Sequence, residues 1–219
     1  MKRFEITPRC VLCGSCVDLC PVGAISFGKE QCVIDEEKCV RCGVCERHCG
    51  FDAITMTETI TEEEAMEEAL YLAEEAGKNG DIPIGAVVLY EGRIIGRGKN
   101  EKEISQDATH HAEILALQEA AKTLGHWWLE DCTLLVTLEP CAMCAGAIVN
   151  TRVSRLVYAA KNPRFGACES ALRLLEGPTS NHHVEVVSGL CEEKASSLLS
   201  RFFRELREKK RLDREGGTG

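Results

Sequence analysis

Apolar positions after residue 60 follow two different periods. From Thr61 to about Asn79 they recur every three or four residues, which predicts an amphipathic helix. Thr61 followed by Glu64 has the spacing of a capping box, so this helix is expected to begin at Thr61. The residues predicted to form its apolar face are Ala65, Ala69, Leu72 and Ala76.

The remaining apolar segments predict strands that alternate with helices. A β-hairpin is expected from Ile84 to Arg97, with Gly92 in the turn. Further strands are expected at residues 133–138, 153–159 and 184–187, and helices at 110–123, 140–150 and 192–211, with Pro140 in the first turn of its helix. This alternation predicts an α/β sandwich.

The first sixty residues contain an internal repeat instead. The run Cys-x2-Cys-x2-Cys-x3-Cys begins at Cys10 and recurs 29 residues later at Cys39, and Ala24 and Ala53 match at the same offset. Each half is expected to form a loop, a short helix and a short strand. Neither half has enough apolar residues to fold alone, so a unit of this size is expected to need metal for stability.

The cysteine spacing indicates which metal. Three thiolates two residues apart can wrap one face of a cuboidal iron–sulfur cluster, while the fourth, followed by Pro21 in the first run, points toward a second cluster. A zinc site is the alternative, but zinc is usually held by paired Cys-x2-Cys arms. Cys32 falls outside both runs and is expected to be buried without binding metal.

Residues 4–57 resemble a bacterial-type ferredoxin domain with two 4Fe–4S clusters. The resemblance implies an α+β domain in which each run supplies three ligands to one cluster and its fourth cysteine to the other. It assigns cluster one to Cys10, Cys13, Cys16 and Cys49. It assigns cluster two to Cys20, Cys39, Cys42 and Cys45.

A second set of metal-binding residues lies at two predicted helix starts. His111-Ala-Glu113 precedes Pro140-Cys141-Ala-Met-Cys144, an order and spacing typical of zinc deaminases of nucleobases. His111, Cys141 and Cys144 are three zinc ligands, which leaves the fourth position for water. Glu113 is expected to move protons between this water and the leaving amine. The alternatives are a thioredoxin-like Cys-x2-Cys motif and the adjacent His110 as the ligand.

From Met66 to about Arg211 the chain resembles the bacterial tRNA-specific adenosine deaminases, which have a cytidine deaminase-like α/β/α sandwich. The matching runs include Ile82–Val87, Gly98–Asn100, Thr109–Glu113 and Val136–Ala147. The resemblance implies a homodimer that converts the wobble adenosine of a tRNA anticodon to inosine. It also implies that Asn100 contacts the flipped base and that the backbone around Ala86 and Pro140 frames the reacting amine. Ile84, in the first of these runs, is predicted to bind substrate as well.

The distribution of charge supports an RNA substrate. The net charge is −9, yet residues 194–219 contain eight basic and four acidic side chains. The last predicted helix contains both aromatic and basic residues, which suits an anticodon loop with splayed bases. The residues predicted to contact RNA are Phe202, Phe203, Arg204 and Arg207. The alternative is that the phenylalanines pack this helix onto the sheet.

These observations predict a ferredoxin-type domain at residues 1–57, a deaminase domain at 58–214 and a disordered tail at 215–219. No apolar run is long enough to cross a membrane, and cysteine clusters of this kind suit the reducing cytoplasm. We expect one zinc ion, two 4Fe–4S clusters, an RNA substrate and a redox partner. Two other functions stay open: deamination of free bases or nucleotides such as guanine or cytosine, and electron transfer or redox sensing on a deaminase fold.

Overall fold

The chain divides into two compact units, Met1–Thr59 and Ile60–Gly219, in this computed structural model. The structure describes residues 2–40, 42–176 and 182–216. Within these ranges no helix is long and apolar enough to cross a membrane. The division between the units lies two residues after the domain boundary expected from sequence.

The first unit has the duplicated architecture that the repeat predicts. Its elements are β1 (Lys2–Ile6), α1 (Ser15–Leu19), β2 (Ile25–Phe27), β3 (Cys32–Ile34), α2 (Val44–Arg47) and β4 (Ile54–Glu58). Strands β1 and β4 pair antiparallel, as do β2 and β3. Both short helices begin at a glycine in the left-handed region, Gly14 at φ 82° and Gly43 at φ 72°, which a residue with a side chain rarely adopts.

The second unit is a five-stranded sheet covered by helices on both faces. Its elements are α3 (Glu62–Lys78), β5 (Gly85–Tyr90), β6 (Arg93–Lys99), α4 (Lys102–Ser105), α5 (Ala112–Leu124), β7 (Cys132–Leu138), α6 (Ala142–Asn150), β8 (Arg155–Ala160), β9 (Glu185–Ser188) and α7 (Glu192–Gly216). The strand order is β6-β5-β7-β8-β9. Strand β7 pairs antiparallel with β5 and parallel with β8. The first residues of β5 therefore lie beside the last residues of β7.

Alternate residues of β7 divide the core into two layers. Leu134 and Val136 pack with α5 and α6, while Leu135 packs with α3. The α/β/α sandwich predicted from sequence is therefore confirmed. The capping box of Thr61 and Glu64 at the start of α3 is also present.

Three predicted helix boundaries differ from the structure by two or more residues. The helix expected from residue 110 begins at Ala112, because its N-cap His111 is extended. The helix expected from Pro140 begins at Ala142, because Cys141 is extended and forms an isolated antiparallel bridge with Gly166. The last helix extends to Gly216, two residues into the segment expected to be a disordered tail. Residues 217–219 of that tail lie outside the described residues.

Glycines let α5 lie directly on the sheet. A Cβ atom on Gly98 would lie 2.0 Å from the backbone oxygen of Ala112 and 2.6 Å from the backbone nitrogen of Ala116. No side chain fits in this space, so the start of α5 is held against the end of β6. The position of His111, which caps α5, follows from this contact.

A buried carboxylate, Glu139, fixes the loop that follows β8. It accepts backbone N–H bonds from Asn162 at 3.0 Å and from Glu169 and Ser170 at 2.8 and 2.9 Å, and the Ser170 hydroxyl also donates to it. Burial alone would raise the pKa of Glu139, but these hydrogen bonds outweigh it and lower the pKa below its ordinary value. The folded state therefore holds Glu139 ionised at neutral pH.

We predict that Glu139→Gln lowers the free energy of unfolding by about 2 kcal/mol at pH 7, because several charge-assisted hydrogen bonds weaken. The loss should shrink as the pH falls from about 5 through the lowered pKa, since protonation removes the same charge from the wild-type protein. Denaturation can be followed by tryptophan fluorescence, because Trp127 and Trp128, the two tryptophans of the chain, belong to the second unit.

The matched control is Glu176→Gln. Glu176 is exposed and pairs only with the nearby Arg173 among the described residues, so its removal should change stability by less than about 0.5 kcal/mol at either pH. A Glu139→Gln deficit that stays constant from pH 7 to pH 4 would contradict the assignment of an ionised carboxylate.

Candidate metal centres and active site

Two helix starts meet beside the end of β7 and bring three metal-binding side chains together. His111 is the N-cap of α5, Cys141 is the N-cap of α6, and Cys144 lies in the first turn of α6. His111 Nδ1 lies 3.7 Å from Cys141 Sγ and 3.6 Å from Cys144 Sγ. The two sulfurs are 3.8 Å apart.

These separations fit a tetrahedral zinc ion. With Zn–S bonds of about 2.3 Å and Zn–N bonds of about 2.0–2.1 Å, tetrahedral angles require about 3.8 Å between two sulfurs and about 3.6 Å between sulfur and nitrogen. His111, Cys141 and Cys144 together form a group of metal-binding residues whose ligand atoms lie within 4.8 Å of one another. His110 is not part of this group, since its imidazole faces Asp107.

The electrostatics of the site favour a thiolate at Cys141. Hydrogen bonding with the Cys144 thiol lowers the pKa of Cys141 to about 3, and the neighbouring His111 ring contributes further. The same interaction and burial raise the pKa of Cys144. The start of α6 adds the positive end of a helix dipole beside both sulfurs.

Glu113 lies in the first turn of α5 and is 4% exposed. Its Oε2 atom is buried and has no hydrogen-bond partner among the described residues. Burial raises the pKa of its carboxyl group. This oxygen lies beside the three metal-binding atoms. It could therefore accept a hydrogen bond from a water molecule at the fourth position of a zinc ion.

Asn100 takes part in a buried polar network that connects to the same site. Its Oδ1 accepts the N–H of Ala112 at 3.3 Å, directly after His111, and its Nδ2 donates to Asp81 at 3.4 Å. Asp81 is fully buried and also accepts the N–H of Glu103 at 2.7 Å. Sequence reasoning gave Asp81 no role, although a carboxylate directly before a buried apolar run is the signal that would have found it.

The other predicted substrate-binding residues of the sheet offer mainly backbone. Ala86 and Pro140 are buried, and the carbonyl of Ile84 accepts the N–H of Asn100 at 2.9 Å. The carbonyl of Pro140 accepts the N–H of Ala167 at 2.8 Å, so it is already occupied within the fold.

The C-terminal helix runs alongside α3. Lys194 pairs with Glu67, and a Cβ atom on Gly77 would lie 3.9 Å from Phe202. Helix α7 therefore extends toward the segment that precedes β5. This segment lies at the same end of the sheet as the last residues of β7. Phe202 is half-buried, as its packing against α3 requires, whereas the predicted RNA-contacting residues Phe203, Arg204 and Arg207 are exposed.

The first unit contains two cavities lined by cysteines. One cavity is lined by Cys10, Cys13, Cys16 and Cys49, and also by Cys32 from outside the two runs. The other cavity is lined by Cys20, Cys39, Cys42 and Cys45. Each cavity thus takes three thiols from one run and the fourth from the other, as the crossed pattern predicts, and its remaining lining is largely apolar.

Backbone N–H groups point at sulfur in both cavities. Ala24 donates to Cys20 at 3.2 Å, and its repeat partner Ala53 donates to Cys49 at 3.3 Å. The N–H of Cys32, a residue that is itself buried, lies 3.5 Å from Cys10 and lowers the pKa of that thiol. Such donors stabilise the negative charge of thiolate ligands, so both cavities suit iron–sulfur clusters.

Comparisons with known proteins agree with both units. The MafB19-like deaminase family matches residues 60–207, and the 4Fe-4S dicluster domain family matches residues 9–76. A tRNA-specific adenosine deaminase of Bacillus subtilis is 48% identical over 150 residues, which cover 68% of this chain and 93% of that protein. The tRNA-specific adenosine deaminase of Agrobacterium fabrum is 45% identical, covering 68% and 95%.

Solved structures give the same picture. A tRNA:A34 deaminase with A-to-I editing activity at the wobble position is 44% identical, with a TM-score of 0.60, and covers 62% of this chain and 98% of its own. The guanine deaminase of Nitrosomonas europaea is 28% identical, with a TM-score of 0.58, covering 67% and 86%. The chain therefore belongs to the tRNA-specific adenosine deaminase family, within the MafB19-like deaminases, and carries a 4Fe-4S dicluster domain at its N-terminus.

Proposed function

We propose that this protein is a zinc-dependent hydrolase that converts the wobble adenosine of a tRNA anticodon to inosine. The observation that carries the proposal is the buried Oε2 of Glu113, which has no hydrogen-bond partner among the described residues and lies beside His111, Cys141 and Cys144. These three side chains would hold one zinc ion per deaminase domain.

The chemistry assigns one role to each part of the site. When bound, zinc supplies a water of pKa about 7 at its open position. Glu113 would take one proton from the attacking water and deliver it to the departing amino group at C6 of the adenine ring. The C6–N bond would break with loss of ammonia, and the second water proton would end on N1 as C6 becomes the carbonyl of inosine. The raised pKa of Glu113 suits this proton transfer near neutral pH.

The substrate is an anticodon stem-loop with its target base flipped out of the loop. Asn100 uses one Nδ2–H for Asp81 and retains the other, which suits a contact to the flipped base. Phe203, Arg204 and Arg207 offer an exposed aromatic face and positive charge to neighbouring nucleotides. We propose that the enzyme acts as a homodimer in the cytoplasm.

We further propose that the first unit holds two 4Fe–4S clusters in the crossed ligand sets. Hydrolytic deamination transfers no electrons, so the clusters do not serve the chemical step. Their role in this proposal is structural or redox-regulatory, with a redox partner setting their oxidation state. Electron transfer or redox sensing on a deaminase fold is the corresponding alternative for the whole protein.

Deamination of free bases or nucleotides is the second candidate, because the guanine deaminase of Nitrosomonas europaea shares the fold at 28% identity. A small substrate needs no extended cationic surface, whereas this chain carries Arg204, Arg207, Lys209 and Lys210 exposed on α7. The two candidates therefore predict different ratios of turnover for RNA and for free guanine or cytosine.

We predict that zinc-loaded, cluster-loaded wild-type protein produces inosine from an anticodon stem-loop with a wobble adenosine. Glu113→Gln should lower kcat about 10²- to 10⁴-fold, because the proton relay is lost while the metal ligands remain. Inosine is measured by nuclease digestion and chromatography, and zinc content by mass spectrometry. Glu119→Gln, in the same helix but bonded to the backbone of Arg97, is the matched control and should retain full activity.

Three outcomes would count against the proposed function or its parts. Absence of inosine from fully loaded wild type would refute the RNA substrate. Higher kcat/KM for a free base than for RNA would favour the second candidate. Equal rates with clusters oxidised, reduced by dithionite or removed would eliminate the regulatory role of the first unit.

The crossed ligand sets make a separate prediction about iron. Cys13→Ala and Cys42→Ala should each lose about half of the bound iron, because each removes one exposed ligand of a different cluster. Cys32→Ala is the matched control and should keep all of the iron, since Cys32 belongs to neither ligand set and its backbone N–H toward Cys10 survives the substitution. Iron and zinc are quantified together. Loss of iron from Cys32→Ala, or none from Cys13→Ala, would overturn the assignment.

A further inference from the structure

The loop of residues 161–166 lies directly beside the candidate zinc ligands. It follows β8, and its last residue, Gly166, forms the bridge with Cys141. The next residue, Ala167, donates its N–H to Pro140, which precedes Cys141. The loop is therefore attached to the segment that positions one metal-binding thiol.

The backbone of this loop is fixed from several sides. Asn162 accepts the N–H of Phe165 through its side chain at 3.2 Å and the N–H of Gly166 through its carbonyl at 2.8 Å. The backbone N–H of Asn162 donates to the carboxylate of Glu139. A Cβ atom on Gly166 would lie 2.3 Å from Glu139 Oε2, so this close approach requires glycine.

On this fixed loop Phe165 projects into solvent. It is 68% exposed, more than any other large apolar side chain in the described ranges. Covering an exposed phenylalanine ring is energetically favourable, because it removes apolar surface from water. A ring held on a rigid loop can therefore serve as a stacking surface. The backbone hydrogen bonds around it mean that little conformational freedom remains to be lost on binding.

Two exposed cations precede the ring in the same loop. Lys161 and Arg164 are exposed, and neither forms an ion pair with any residue that the structure describes. Arg155 and Lys194, by contrast, are engaged by Glu62 and Glu67. An exposed aromatic ring in the same loop as these two cations matches a single-stranded nucleic acid, in which bases stack and phosphates follow alongside.

We propose that Phe165 is a stacking platform for an unpaired RNA nucleotide next to the reacting adenosine, with Lys161 and Arg164 facing the adjacent phosphates. The inference rests on the proposed function and extends it to a substrate-contacting surface distinct from α7. A free base has no flanking nucleotide, so this surface would favour RNA over free bases. The competing occupant is the second subunit of a dimer, which the test separates.

The test uses the full chain loaded with zinc and clusters. Binding of the anticodon stem-loop is measured in the Glu113→Gln background by fluorescence anisotropy, and turnover is measured in the wild-type background. Phe165→Ala should raise Kd and KM for the stem-loop at least about fivefold, with kcat changed less than about twofold. Phe165→Tyr, which keeps the ring, should restore both values.

Trp127→Ala is the matched control. Trp127 is also an exposed aromatic residue, at 59%. It precedes β7, whereas Cys141 follows β7, so the two residues lie at opposite ends of this strand. Its substitution should leave Kd and KM unchanged. Lys161→Ala and Arg164→Ala should each reduce the salt dependence of binding by about one unit of slope, because each removes one phosphate contact.

A second readout reports stacking itself. The stem-loop carries 2-aminopurine in turn on either side of the wobble position, and its fluorescence should be quenched by wild type at one of these positions but not by Phe165→Ala. Unchanged Kd for Phe165→Ala, or a change accompanied by dissociation of a dimer in size-exclusion chromatography, would overturn the inference. Absence of inosine despite Phe165-dependent RNA binding would refute the proposed function alone.

Discussion

The candidate active site depends on how closely α5 lies against the sheet. Gly98 leaves only 2.0 Å for a Cβ atom before the carbonyl of Ala112, so the helix start rests on the backbone of β6. His111 caps this helix and thereby meets Cys141 and Cys144 at the start of α6. A side chain at Gly98 would separate the imidazole from the thiols and leave no three-ligand site.

Buried carboxylates around this site have opposite environments and hence opposite properties. Glu139 receives several backbone and hydroxyl donors, which lower its pKa and fix it as a charged anchor for the loop after β8. Glu113 is also buried, but one of its oxygens has no donor in the part of the chain that the structure describes, and burial raises its pKa. Environments that separate two such pKa values distinguish a structural carboxylate from one suited to proton transfer. In the proposed mechanism, Glu139 holds the loop beside the site and Glu113 transfers the proton within it.

The two units differ in how much apolar core surrounds their candidate metal-binding residues. In the second unit a large core positions three ligands, and the fold has ample buried apolar surface without them. In the first unit the core is small, and six cysteines belong to it or pack against it. Ala24 and Ala53, which occupy matching positions in the two halves, make the same contact. Each donates its N–H to the fourth cysteine of its own run. The duplicated sequence therefore encodes a hydrogen bond to sulfur as well as the ligands.

The sequence by itself determined the element order, the metal-binding motifs and the family, because cysteine spacing and apolar periodicity are local properties of the chain. His111, Glu113, Cys141 and Cys144 were identifiable from two short motifs at predicted helix starts. Helix boundaries were less certain: Cys141 leaves α6 because it pairs with Gly166, a partner 25 residues away. Only the tertiary structure decided the roles of Asp81 and Glu139 and the placement of Phe165, since these depend on which distant backbone N–H groups surround a carboxylate. Local pattern encodes the ligands, whereas burial and hydrogen bonding across the fold decide the charge and accessibility of the groups around them.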